Sequence, residues 1–454
     1  MRKIETYNIV IVTILLQLAS LFCPIVSGAD DTSIRCHREP FVLDSGVHEN
    51  LRKESSVPFR ETMIIPGVPW MQIHVSASNL GERSCIVITS LYDGGQQRLD
   101  TQSLVQWHNS SAYLNGEAVE IALVVGPGES GIFFRIEEIT VGEWIGNGGP
   151  ADGSSSLLFQ ESICGSSDNR VSSEDPAVGR IMPAGCTGWI ISNGAFLTAG
   201  HCSGIGYVLQ FNVPASLPDG TPLNPLPEDQ YPVTYLDFHN NDEGDDWAIF
   251  QTGTNNKGQQ AIERQRAFYR VTHDISPESV SVTGYGIDSL PRGTTGGRNS
   301  DNQTQQTHTG HYIGKNIVRR TKVIIEYLVD TLGGNSGAPV IITQEGLTLG
   351  IHTHSGCNPP HFGNQGTGFQ QRGLKNAIQT FPGVNVEYVD KGYPELAVRK
   401  DGTVFRPFNT VQEGVNAASA GAVISIVKGS YHESVTITKN VVIEAPVGTV
   451  IIGQ

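Results

Sequence analysis

After residue 29 the chain has no hydrophobic run long enough to span a bilayer, so the pattern excludes a further membrane-crossing helix. Positive charge is scarce. Against 45 Asp and Glu stand 30 Lys and Arg, a formal charge of −15 that argues against nucleic-acid binding and for a soluble acidic secreted protein. Aromatic residues make up only 7%, while Gly (52) and Pro (24) are abundant, which suits several small β-rich units. Cysteine is sparse too, at seven in 454 residues. Its use depends on the compartment.

Residues 1–29 read as a secretory signal: Met1-Arg2-Lys3 starts positive, Ile9 to Phe22 is apolar, and Ser27-Gly28-Ala29 offers a small-residue cleavage site. Thr13, Gln17 and Ser20 interrupt the apolar run, which disfavours a permanent span, and Phe22 is too large to precede a lipid-attachment Cys23. Removal of the signal leaves Cys36, Cys85, Cys164, Cys186, Cys202 and Cys357, an even number that suggests disulfides in a secreted chain. Asn109-Ser-Ser and Asn302-Gln-Thr are glycosylation acceptors in a eukaryotic host.

Residues 30–145 lack a long helical period and show alternating or β-branched runs, such as Trp70–Val75, Cys85–Thr89, Val119–Val125 and Phe133–Ile136. Asp93-Gly94-Gly95 and Gly126-Pro127-Gly128 mark turns between them. The pattern predicts an all-β sandwich that docks on or near its neighbour. Residues 146–160 are a Gly/Ser linker by composition. In the tail, 386–454, short strands are expected at Phe408–Gln412, Val423–Val427, Val435–Ile437 and Val441–Glu444. That tail resembles the opening coils of a right-handed parallel β-helix, the architecture of pectate lyases. About two coils are too few to bury a core alone, and Val450-Ile451-Ile452 leaves an apolar edge. The N-terminal or C-terminal domain is thus a candidate for a surface or glycan partner.

Three runs carry chemistry: Thr198-Ala199-Gly200-His201-Cys202, Asp245-Asp246-Trp247-Ala248-Ile249-Phe250, and Gly333-Gly334-Asn335-Ser336-Gly337-Ala338-Pro339. A serine hydroxyl is a weak nucleophile until an imidazole can take its proton, and the imidazole needs a carboxylate to fix its tautomer. Glycines beside the serine allow backbone N–H groups to approach a developing oxyanion. The ordered His, Asp and Ser with these flanks resemble the chymotrypsin-like (trypsin-like) serine proteases, nearest the secreted glutamyl-endopeptidase (V8-like) branch.

The resemblance implies a double six-stranded β-barrel over residues 161–385, with Ser336 as nucleophile, His201 as general base, Asp246 as orienting carboxylate and the N–H groups of Gly334 and Ser336 as oxyanion hole. It selects Asp246 over the adjacent Asp245 and pairs Cys186 with Cys202, a cross-link worth about 3 kcal/mol in the chain-entropy model. Partners for the other four cysteines stay open. The digestive members carry Asp before the serine, to be met by a freed N-terminal ammonium. Asn335 offers no such charge, so that switch should be absent. Glu161–Arg170 resembles a mature N-terminus, and processing near Glu161–Ser162 is expected to free the protease.

For the primary pocket the resemblance leaves two options. Asp330, six residues before Ser336, stands where trypsin-like members place a pocket-floor carboxylate and would favour Arg or Lys, although Tyr327, Asp330 and Thr331 also resemble a V8-like Tyr-x-x-Asp-Thr pattern in which the Asp need not face the substrate. His352, where acid-preferring members place a histidine, would with Ser355 assisting favour an acidic side chain. A zinc site from His352, His354, Cys357 and His361 fits no familiar spacing. The polar stretch Arg292–Gly310 reads as an exposed loop. The expected whole is a secreted all-β serine endopeptidase acting on protein or peptide substrates, with no metal or organic cofactor. The alternative is a catalytically silent protease-like surface or carbohydrate-binding protein.

Overall fold

The computed structural model describes residues 34–145, 162–288, 299–319, 321–357, 362–381, 383, 385–396 and 398–453. The secretory signal, the linker 146–160 and His361 lie outside the described residues. Among those described, no helix is long and apolar enough to cross a membrane.

The first unit has two four-stranded antiparallel sheets. One orders Cys36–Asp44, Phe133–Gly142, Trp70–Asn79 and Leu114–Asn115; the other orders Ser56–Ile64, Ala118–Val125, Cys85–Ser90 and Gln96–Leu99. Alternation sends Ile73, Ile136 and Val141 of one sheet and Ile86, Ile121 and Leu123 of the other into a single apolar cluster. Each such side chain contributes about 1.5–3 kcal/mol on burial. Cys85 is a free thiol buried within this unit, its pKa raised by burial.

His74 in the same unit is held neutral. Its Nδ1 lies 2.9 Å from Ser110 Oγ and its Nε2 2.7 Å from Thr140 Oγ1. Burial, helped by Arg38, lowers its pKa to about 4. The unfolded chain therefore binds the extra proton first. Stability is intact above the ordinary histidine value and is lost as pH falls from there towards 4, by about 2 kcal/mol at pH 5. Urea unfolding at pH 7 and pH 5 should show that loss, and His74→Gln should shrink the difference by a similar amount.

Two closed six-stranded barrels follow. The first runs Val178–Met182, Cys186–Ile190, Phe196–Thr198, Asp246–Thr252, Gln230–Asn240 and Val208–Gln210. The second closes through Ser279–Gly284, Gln306–Arg319, Lys322–Leu328, Asn364–Gly368, Leu347–His354 and Pro339–Ile342. The sandwich-like unit sits on the first barrel, and Met182 and Val208 complete its apolar cluster. Polar side chains seal the contact: Tyr113 N donates to Gln230 Oε1 (2.9 Å), and Asn224 N to Asn115 Oδ1 (2.9 Å). Buried Arg180 spends its guanidinium on neutral acceptors, among them Gln210 Oε1, Leu223 O and Gln303 O.

The polar stretch expected as an exposed loop behaves differently where it is described. Asn302, Gln303, Gln305 and Gln306 are buried, and Gln306 opens a barrel strand. Polarity misled because the amides of Asn302, Gln305 and Gln306 find internal partners. Asn302 accepts from Asp288 N (2.9 Å) and donates to Gly220 O (2.8 Å), so its sequon is closed to a glycan in the folded chain. Asn109 is exposed.

In the tail, Val386–Val389, Val423–Ile426 and Val442–Glu444 pair in parallel with Val386, Val423 and Val442 in register. Gly429–Tyr431 pairs in parallel with Val450–Ile452. Two expected strands fail. Val411–Ala417 is a helix, started by Thr410 and Glu413 in a reciprocal capping box, and Val435–Ile437 forms no strand. The second barrel and tail are clamped by bidentate Arg270–Asp390 and Arg406–Asp274 pairs. Ile451 is left 56% exposed.

Candidate active site

The strand Phe196–Thr198 ends in a single 3-10 turn, Gly200–Cys202, which lifts His201 out of the first barrel. A Cβ on Gly200 would stand 1.9 Å from His239 O, so only glycine fits there. Asp246 opens the strand Asp246–Thr252 and is 1% exposed. Its Oδ1 accepts the His201 backbone N–H (3.0 Å), and its Oδ2 lies 2.5 Å from His201 Nδ1. A carboxylate at Nδ1 places the ring proton there and leaves Nε2 as the basic nitrogen. Thr367 Oγ1 ties down the same residue, accepting from Asp246 N (3.2 Å) and donating to Asp246 O (2.8 Å).

Neighbouring Asp245 faces elsewhere. It accepts from Trp247 Nε1 (3.2 Å), Gln371 Nε2 (2.5 Å) and Asn241 Nδ2 (3.1 Å), a structural set of bonds away from His201.

The serine loop is fixed by its carbonyls. Thr187 donates through Oγ1 to Gly334 O (2.8 Å) and through N to Ser336 O (2.9 Å), while Ile287 N and Trp189 Nε1 reach Gly333 O (2.7 Å) and Gly337 O (3.0 Å). Asn335 closes the turn itself, its Oδ1 accepting from Leu332 N (3.0 Å). Gly334 (φ +98°) and Gly337 (φ +90°) hold backbone that L side chains rarely adopt. The N–H groups of Asn335, Gly337 and Ala338 bond to Leu332, His352 and Asn335 carbonyls. Those of Gly334 and Ser336 meet no acceptor among the described residues. Ser336 is 6% exposed.

Two cross-links bring the parts together. Cys186–Cys202 joins the strand bearing Thr187 to the His201 turn, and Cys202 Sγ lies 3.7 Å from Ser336 O. Cys164–Cys357 joins the segment before the first barrel to the turn after His354. Cys357 therefore has no thiolate to offer zinc. Cys186, His201 and Cys202 also lie close together, but a disulfide occupies both sulfurs.

The pocket candidates separate. Asp330, 1% exposed, has both oxygens occupied: Cys164 N donates to Oδ1 (2.8 Å), and Asn169 donates to Oδ2 through N and Nδ2 (2.9 Å each). His308 Nδ1 is 3.5 Å from that carboxylate, but it already accepts the Asp330 N–H (2.7 Å) and so forms no ion pair. His352 meets the Tyr327 hydroxyl through Nδ1 at 2.8 Å. Burial, with nearby His354 and His201, lowers its pKa to about 3. His354 lies 6.5 Å from His201, ring to ring, and Ser355 is half-buried beside it.

A family model described as Trypsin matches residues 165–371. This segment is a trypsin-like serine protease domain. Its two closed barrels are typical of the chymotrypsin-like fold. Similar solved structures include a Glu endopeptidase in complex with MPD (17% identity, TM-score 0.35, 48% of this chain and 97% of that one). Others are a thermostable serine protease from an extremophilic microorganism (16%, 0.34, 46% and 98%) and human heparin binding protein (14%, 0.34, 48% and 98%). No curated protein matches the chain. Thr187, Thr367 and Asn169, each bonded to a candidate group of the protease domain, were not singled out by sequence; hydroxyls and amides carry no pattern of their own.

Proposed function

We propose that the protein is a secreted serine endopeptidase with a Ser336–His201–Asp246 triad. The observation that carries this reading is the meeting of three chain segments. The turn bearing His201 touches the Ser336 backbone through Cys202, and the same imidazole faces a buried carboxylate. In the cycle, Ser336 Oγ attacks the scissile carbonyl while His201 Nε2 takes the hydroxyl proton. Asp246 stabilises the imidazolium without taking its proton. The Gly334 and Ser336 N–H groups receive the oxyanion. His201 then hands its proton to the leaving amine, and water, activated by the same imidazole, releases the acid.

The saturated carboxylate of Asp330 disfavours it as a pocket floor for Arg or Lys. We propose His352 and Ser355 as the recognition pair for a substrate carboxylate, in keeping with the glutamyl-endopeptidase likeness. A neutral imidazole there would be protonated as the acidic side chain arrives, since an adjacent anion raises its pKa. Mass-spectrometric mapping of cuts in a denatured protein tests this, with Ser336→Ala alongside. Cuts after Glu or Asp are expected. Cuts after Arg or Lys would return the role to Asp330, and identical maps for both chains would favour a silent binding protein. The parallel strands of the tail support its reading as a β-helix-like segment.

A further inference from the structure

Asp330 is a buried carboxylate with no Lys or Arg partner among the described residues; backbone and amide N–H groups satisfy it, all from one short segment. Such a charge is tolerated only where its acceptors are met, so the segment and the carboxylate hold each other in place. Ser162–Arg170 is fixed at further points. Ser162 O accepts from Asn364 Nδ2 (2.7 Å) and Thr331 N (3.2 Å). Asn364 Nδ2 also reaches Val329 O (2.6 Å) and Thr331 Oγ1 (2.9 Å). Cys164 is bonded to Cys357. At the far end Arg170 pairs with Asp168, both side chains almost wholly buried, and donates to Ile287 O (3.0 Å); Ile287 N donates in turn to Gly333 O (2.7 Å). Apart from the disulfide and the internal Arg170–Asp168 pair, these contacts bear on residues 329–333, directly or through Asn364 and Ile287, the stretch that leads into Gly334-Asn335-Ser336.

We infer that Ser162–Arg170 is an internal strap that sets the oxyanion-bearing loop, with Asp330 as its anchor and a positioning residue for the Gly334 and Ser336 N–H groups. This rests on the reading of Ser336 as nucleophile. The strap docks through main-chain N–H groups within the chain and needs no freed amino terminus to do so. Asn335, lacking a charge, closes the turn through Leu332 N instead.

The test uses the full chain and two variants, Asp330→Asn and Asn169→Ala. The Asp330→Asn amide sets an N–H against the donors of the strap, and Asn169→Ala removes one of them. The probe is a fluorophosphonate: the Ser336 Oγ–P bond forms, P–F breaks with loss of fluoride, and the phosphoryl oxygen occupies the oxyanion hole. Phosphonylation rate, kcat and KM on a peptide amide, and the low-field Nδ1–H proton of the His201–Asp246 pair are measured together. For Asp330→Asn the expected result is a fall of about 100-fold in phosphonylation and kcat, the scale of losing an oxyanion donor, with KM nearly unchanged and the low-field proton retained. Asn169→Ala is expected to lose about 10-fold in the same way. Unchanged rates in Asn169→Ala overturn the strap even if Asp330→Asn fails to fold. So does a loss accompanied by disappearance of the low-field proton, which would mean general disruption. A parent chain that is not phosphonylated at Ser336 overturns the serine-protease reading itself.

Discussion

Ser336→Ala should abolish peptide hydrolysis, lowering kcat on the order of 10^4 to 10^6-fold while substrate still binds. The change removes one oxygen from a residue that is 6% exposed, and the loop is held by bonds that do not involve it. Gly334, Ser336 and Gly337 are fixed through their carbonyls, by Thr187 and Trp189. The variant should therefore fold as the parent does. Steady-state kinetics on a peptide substrate, with thermal unfolding as control, check both halves. Any residual hydrolysis reports binding and the oxyanion donors alone.

The second large effect separates two adjacent carboxylates. Asp246→Asn keeps the shape of the side chain but can present an N–H to His201 Nδ1, forcing the imidazole into the tautomer whose Nε2 bears the proton and cannot act as base. A loss of about 10^4-fold in kcat is expected near neutral pH, with KM little changed. Asp245→Asn should behave differently, because its partners are Trp247, Gln371 and Asn241 rather than the imidazole. Its cost should fall on stability, about 1–3 kcal/mol for a buried acceptor set that is partly broken, with kcat within a few-fold of the parent. Urea unfolding and initial rates on the two variants distinguish these outcomes. Equal losses of kcat would undo the assignment.

Much of the candidate site was legible because the chemistry proposed for it requires unusual local sequence. Gly200 and Gly337 have no room for a side chain, so the runs around His201 and Ser336 announce themselves. Asp246 stands at the mouth of an apolar strand, where an unpartnered charge would be costly. The bonding of Asp330 was not legible. Six positions before the serine it reads as a pocket floor, and only the fold shows that Cys164 and Asn169, more than 160 residues away in the chain, reach its oxygens first. Amide-rich Asn302–Gln306 looked solvated because its partners, Asp288, Gly220 and Asp175, are set by tertiary contacts. The tail failed in a different way. Thr410-x-x-Glu413 is a helix-start signal that short-strand periodicity overrode, although the capping box was present in the sequence.

The most direct test is to trap the covalent intermediate. The chain is quenched in acid during turnover of an activated peptide ester, digested, and examined by mass spectrometry. An acyl group on the peptide carrying Ser336, absent from Ser336→Ala, is the result expected of a serine endopeptidase. Turnover with no adduct, or with an adduct on another residue, would contradict it.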